Sequence, residues 1–163
     1  MPSIDIRLVI ASDDDSLAAV RGLFREYAGG LAVDLHAETF DAELAGLPGN
    51  YAAPHGHLLL ALVDGTLAGC GAFRGLTDVD YANACEMKRL YVRPAFRRFG
   101  LGRLLAQVLL DEARRTGYSA TLLDTLDHME AARGLYQSLG FEEIPPFHYS
   151  ALAGSHYLKV ELT

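Results

Sequence analysis

Glu86-Met87-Lys88-Arg89-Leu90-Tyr91-Val92-Arg93-Pro94-Ala95-Phe96-Arg97-Arg98-Phe99-Gly100-Leu101-Gly102-Arg103 is the stretch on which the fold turns. It reads as a strand, a turn stopped by Pro94, and the opening of a long helix. The first N–H groups of any helix lack partners inside it. Gly100 and Gly102 strip side chains from that end, so an anion can reach bare backbone donors, drawn by the positive end of the helix dipole. Arg97, Arg98 and Arg103 add cationic charge at the same spot. The plain alternative is a glycine-bearing helix entry with a solvated basic cluster. A G-x-G alone does not decide between them; the preceding strand, the helix entry and the arginines favour an anion site.

Downstream, Leu101, Leu104, Leu105, Val108, Leu109 and Ala113 recur at helical spacing, the stripe of a helix packed on a sheet. Arg114, Arg115 and Gly117 stop it, with cations in the last turn and glycine past the end. Tyr118–Thr125 reads as a strand and Glu130–Leu139 as a helix closed by Gly140. Two further strands are expected near Phe141–Ile144 and His156–Leu162, and Pro145-Pro146 confines the former to an edge or bent position. In the latter, Leu158, Val160 and Leu162 share one face.

Upstream, Ala84–Val92 is a strand, preceded by the apolar runs Leu58–Val63 and Leu67–Phe73. Asp64-Gly65 between those runs is a strong hairpin signal. Ala37–Leu47 is a short amphipathic helix with Phe40, Leu44 and Leu47 on one side. Leu17, Val20, Leu23, Phe24 and Tyr27 form another helix, opened by the capping side chains of Asp13–Ser16 and ended at Gly29-Gly30. Ile4–Ile10 alternates as a strand. The order β, α, α, β, β, β, α, β, α, β, β implies one α/β domain over residues 1–163. Its sheet is mixed and mostly antiparallel, with one parallel pair from the crossover between Glu86 and Asp124 and helices on both faces.

Composition narrows the function. With 163 residues, half of them hydrophobic and 21% charged, the chain is an ordinary globular domain and not a disordered one. The net charge of −7 argues against a duplex nucleic-acid partner, which needs a basic face. The run Leu58–Val63 is far short of the roughly 20 apolar residues that span a bilayer. Met1–Ser12 lacks the pattern of an export signal, so a cytoplasmic location is expected. Cys70 and Cys85 read as buried thiols, not a disulfide framework or a zinc site. His55 and His57 alternate but have no third ligand in view, so no metal is expected. There is no G-x-x-x-x-G-K-[ST] and no third glycine at the dinucleotide spacing, which disfavours nucleotide-binding folds.

Arg97-x-x-Gly100-x-Gly102 resembles the R/Q-x-x-G-x-G/A signature of the GNAT superfamily of acyl-CoA-dependent N-acetyltransferases. Leu135-Tyr136-x-x-x-Gly140-Phe141 is similar to that family's downstream helix end. The resemblance covers nearly the whole chain. It implies a three-layer fold in which the parallel strands ending near Val92 and Thr125 splay apart. It implies acetyl-CoA as cosubstrate, its pyrophosphate on the backbone of Arg97, Arg98, Phe99, Gly100, Leu101, Gly102 and Arg103. The pantetheine arm would pair with Leu90, Tyr91 and Val92. Two positions depart from the family: Arg98 stands where glycine is frequent, and an asparagine frequent near the next helix start is replaced around Met129.

The implied reaction is acetyl transfer to a primary amine, on a small molecule or a peptide. An alkyl ammonium, with a pKa of roughly 10, must shed a proton before it attacks a thioester. Glu86 matches a glutamate base of some members; otherwise it is a strand carboxylate facing solvent or paired with Lys88 or Arg89. Tyr136 matches the family's general acid, which serves the departing thiolate; otherwise it is a core aromatic with a tied hydroxyl. By analogy the N–H of Leu90 stabilises the oxygen that gains charge. Asp124, beside the splay, is placed to face the acceptor amine. Asp127 reads as a helix cap and His148 as a pocket residue. Tyr27, Phe24 and Tyr51 read as core or pocket wall. Loops Gly29–His36, Pro48–Gly56 and Gly75–Asn83 are expected to shape the acceptor site. With no cysteine placed as an acyl carrier, direct transfer in a ternary complex is expected. A non-catalytic acyl-CoA-binding module is the alternative, and pairing of the C-terminal strands into a homodimer stays open.

Overall fold

The structure, a computed structural model, describes residues 3–30, 37–77, 79–126, 130–147 and 154–162. The elements follow the expected order. They are β1 (Ile6–Ile10), α1 (Asp14–Gly29), α2 (Ala37–Ala45), β2 (His57–Val63), β3 (Thr66–Gly75), β4 (Ala84–Val92), α3 (Leu101–Thr116), β5 (Ala120–Leu126), α4 (Glu130–Ser138), β6 (Glu142–Ile144) and β7 (Ser155–Glu161). They build a seven-stranded sheet in the order β1-β2-β3-β4-β5-β7-β6. Every neighbouring pair is antiparallel except β4 with β5. Among the described residues no helix is long and apolar enough to cross a membrane.

Local chemistry accounts for the boundaries. Asp13 caps α1: its side chain accepts from the Ser16 N–H, and the Ser16 hydroxyl oxygen accepts from the Asp13 N–H. Asp64 and Gly65 take φ of 50° and 79°, the left-handed pair that a two-residue hairpin requires. Gly117, at φ 107°, ends α3, and its N–H reaches the carbonyls of Ala113 and Arg114. β6 stops at Ile144, just before Pro145-Pro146, and lies at the sheet edge. At the other edge β1 begins at Ile6, shorter than expected, and leaves Ile4 48% exposed.

The strands alternate between two cores. Leu58 and Leu60 of β2, with Cys70 and Ala72 of β3, pack under Val20, Leu23 and Phe24 of α1 and Leu44 of α2. Leu59 and Ala61, with Phe73 and Met87, pack under α3 and Tyr136 of α4. The sheet is thus the middle of three layers. Leu101, Leu105 and Leu109 of α3 are essentially inaccessible, each contributing at most about 1.5–3 kcal/mol of burial.

β4 and β5 pair at only three positions, Ala84↔Ala120, Cys85↔Thr121 and Glu86↔Leu122, although both strands run on. A bulge in β4 coincides with the parting. Against β3, Ala72 faces Lys88 and Cys70 faces Tyr91, so Arg89 and Leu90 together stand opposite Gly71. Arg89 takes φ 60° to make the extra residue fit. A Cβ on Gly71 would lie 2.9 Å from Leu109 Cδ1 and 3.2 Å from Leu90 Cδ1, so a side chain there would displace the tips of both leucines. A bulge bends its strand and sharpens its twist, which carries β4 away from β5 beyond Glu86.

Candidate active site

The fork between β4 and β5 holds a cleft of about 480 Å³. Tyr27 and Gly30 reach it from the α1 face of the sheet, while Gly102, Ala132, Leu135 and Tyr136 reach it from the α3/α4 face. The cleft is therefore a passage through the sheet, with one mouth on each side. Its long walls are β4 from Met87 to Val92 and β5 from Leu123 to Thr125.

At the α3 mouth, Gly100 has φ 71° and no side chain caps the first turn of the helix. Open space surrounds Gly100, and a Cβ on Gly102 would meet only Leu135 Cδ2, at 3.6 Å. The donors at this tip are thus neither satisfied by a cap nor screened by side chains, as an anion site requires. Arg97 lines the cleft, its Nε donating to the Val92 carbonyl at 3.0 Å. The other two arginines are committed elsewhere. Arg98 donates to Ala95 O at 3.2 Å and lies 4.6 Å from the Phe99 ring centroid, while Arg103 donates to Ser138 Oγ at 2.7 Å, tying α3 to α4. Leu101 is a core residue and Phe99 packs against the same core, so neither side chain faces the cleft.

Leu90, Tyr91 and Val92 line the cleft where β4 has left β5. Tyr136 lines it from α4, only 8% exposed, its ring edge-on to Phe141 at 5.5 Å. Its hydroxyl has no hydrogen-bond partner among the described residues, and its ring both packs in the core and lines the cleft. Burial pushes its pKa well above the ordinary tyrosine range, with Tyr27 and Asp124 adding to the effect, so it keeps its proton. Tyr27 is raised by the same burial, partly offset by the Arg89 guanidinium.

Glu86 sits elsewhere. It is wholly buried at the base of the fork, and its Oε1 takes Arg74 Nε at 3.0 Å and Nη2 at 2.9 Å. It does not line the cleft; Asp124, on β5, does. Its partner is Arg74 of β3, not Lys88 or Arg89, because register places Arg74 directly across from it. Arg89 instead grips Glu43 of α2 with two bonds, Nε–Oε2 at 3.0 Å and Nη2–Oε1 at 3.1 Å. Lys88, which the sequence suggested only as a partner for Glu86, lines the cleft itself.

The remaining expectations divide. Gly30 is the only described residue of the three loops that reaches the cleft; Pro48–Gly56 packs instead, with Tyr51 buried and His55 O accepting from Tyr118 at 2.7 Å. His57 stacks on Phe73 at 5.7 Å, a core role, and burial lowers its pKa. Cys70 and Cys85 are both buried, the latter pushed up to about 11, mainly by burial. Asp127, Met129 and His148 lie outside the described residues. Among the described residues, no cluster of three or more His, Cys, Asp or Glu could hold a metal.

An uncharacterized N-acetyltransferase of Schizosaccharomyces pombe is 37% identical over 142 residues, covering 86% of this chain and 85% of its own. One of Escherichia coli is 31% identical over 140 residues, covering 85% and 82%. Among solved structures, a putative acetyltransferase of Salmonella typhimurium with its cofactor acetyl-CoA aligns at TM-score 0.75 and 24% identity, covering 99% of this chain and 95% of that one. A GNAT-family acetyltransferase of Staphylococcus aureus aligns at TM-score 0.77 and 17% identity, covering 98% and 100%. The model of the acetyltransferase (GNAT) family matches residues 9–141, and the chain belongs to that family.

Proposed function

We propose that the protein is an acetyl-CoA-dependent N-acetyltransferase that transfers acetyl directly to a primary amine. The observation that carries this reading is the passage through the sheet. One mouth is an uncapped helix tip suited to a diphosphate, the other opens on the α1 face, and an unpaired strand wall joins them. The residues fit the coenzyme: the first-turn N–H groups of α3, with Arg97 beside them, take its anionic end, and the backbone of Leu90–Val92 takes its amide-bearing arm. When bound, acetyl-CoA supplies an acetyl group activated as a thioester.

The chain's own groups then have distinct tasks. Asp124, the described carboxylate in the cleft wall, receives the proton that the acceptor ammonium must lose. The N–H of Leu90 faces the oxygen on which charge builds. The Tyr136 hydroxyl, kept protonated by burial, donates to the departing sulfur. Glu86, held by Arg74 at the base of the fork, sets the position of β4 and does not touch the amine. Neither cysteine lines the cleft, and burial holds both thiols protonated, which favours direct attack over a covalent acyl-enzyme.

Calorimetry with coenzyme A, followed by mass spectrometry of an amine panel incubated with acetyl-CoA, tests the proposal. Wild-type protein binds coenzyme and acetylates a subset of amines. Y136F and D124N bind coenzyme equally well but lose about a hundredfold or more in turnover. Coenzyme binding with no acetylated product across a wide panel would make the protein a non-catalytic acyl-CoA-binding module.

A further inference from the structure

Lys88 breaks the charge pattern of the acceptor half of the cleft. Its Cα partner is Ala72, which is buried beneath α1, so its side chain stands on the α1 face, away from α3. Around it lie two guanidiniums and two carboxylates. Each guanidinium is matched: Arg74 by Glu86 at 2.9 Å and Arg89 by Glu43 at 3.0 Å. Lys88 is half-buried, lines the cleft, and makes no hydrogen bond or ion pair among the described residues. A lysine is seldom withdrawn from water without an anion to answer it. The phosphates of a coenzyme do not answer it. Val92 lies four positions on from Lys88, at most about 13 Å at roughly 3.3 Å per residue, and the helix tip lies beyond and on the other face.

Resting on the acetyltransferase reading above, we propose that Lys88 receives a carboxylate of the acceptor, so that the substrate is an amino acid and not a polyamine or aminoglycoside. Asp124 on the facing strand and Lys88 on β4 give the cleft one wall of each sign. A zwitterion satisfies both, its ammonium toward Asp124 and its carboxylate toward Lys88. The Tyr27 hydroxyl, kept neutral by burial, lines the same mouth and adds a donor on the Lys88 side. A cationic acceptor would set a second positive charge against Lys88, with both neighbouring carboxylates already engaged by arginines. Burial lowers the pKa of Lys88, as expected for an ammonium whose anion has yet to arrive; Glu86 and Glu43 oppose the shift and Arg89 and Arg74 reinforce it.

The test uses the full chain, with coenzyme A binding measured first by calorimetry. Acetyl-CoA consumption is then followed against the free proteinogenic amino acids, their carboxamides, spermidine and kanamycin. Expected are turnover of at least one amino acid, kcat/KM about tenfold or more above that of its carboxamide, and collapse of that ratio toward one in K88M, with partial recovery in K88R. The change should fall on KM for the acid more than on kcat. If coenzyme binds but carboxamides or polyamines are the better substrates, if no amino acid turns over, or if K88M keeps the ratio, the carboxylate assignment is overturned while the coenzyme site stands. If coenzyme itself does not bind, the acetyltransferase reading falls with it.

Discussion

Replacing Gly102 separates stability from coenzyme binding in one residue. It occupies the second position of α3, at an ordinary helical φ. A methyl there meets nothing nearer than Leu135 Cδ2 at 3.6 Å, so Gly102→Ala fits without strain. It removes the conformational freedom that glycine gives the unfolded chain, a gain of about 0.4–1 kcal/mol. For a chain of this length that is a rise in Tm of roughly 1–4 °C. Gly102→Val adds a branched three-carbon side chain at the edge of the cleft, beside the donors of the uncapped tip. It should weaken coenzyme A by at least about tenfold, or about 1.4 kcal/mol. Gly100→Ala is the control: with φ 71° a side chain is strained whatever the space, and the variant should lose about 1–2 kcal/mol. Thermal melts by circular dichroism read the first and third effects, and calorimetric titration reads the second. Coenzyme affinity unchanged in Gly102→Val would refute the helix tip as the anion site. A lowered Tm in Gly102→Ala would refute the open packing around it.

Two further perturbations bear on the interior. Glu86→Gln leaves Arg74 facing a neutral amide. With the Glu86 side chain 1% exposed and that of Arg74 32%, the loss should be about 1–3 kcal/mol in urea unfolding, with turnover falling far less than in D124N; equal turnover losses would return the base role to Glu86. His57 titrates below its ordinary 6.5 in the fold because burial disfavours its charged form. The unfolded chain therefore binds a proton that the native state refuses just below that pH, and stability falls as pH drops through this window. H57F should flatten the difference between about pH 7.5 and about pH 5.5, and an undiminished slope would contradict the burial of His57 as the cause.

Features governed by neighbours in sequence were legible. The Asp64-Gly65 hairpin, the Asp13 cap, the Gly117 stop and the stripe of α3 each depend on a few consecutive residues, and the structure has all four. The open tip at Gly100 and Gly102 was legible for the same reason. Contacts governed by register were not. Arg74 and Glu86 meet because β3 and β4 align them, and Arg89 meets Glu43 across 46 positions of chain because a bulge re-aims it. The crowding of Gly71 by Leu109 and Leu90 likewise shows only once α3 lies beside it. Lys88 is masked in sequence by Glu86 two positions before it and Arg89 next to it. The signal available was a lysine on a strand whose first residues are apolar or already matched, four positions before the strand ends.

The three rungs between β4 and β5 have a mechanical meaning. Four strands, with α1, α2 and α3 against them, form one plate; β5, β7 and β6, with α4, form another. Ala84–Glu86 and Ala120–Leu122 are the β4–β5 rungs between the two, helped by the Arg103–Ser138 bond from α3 to α4 and by a shared core. The aperture of the passage therefore depends on the angle at which these plates meet as well as on its walls. Any molecule that bonds to both lips of the fork lengthens the joint and stiffens the whole sheet.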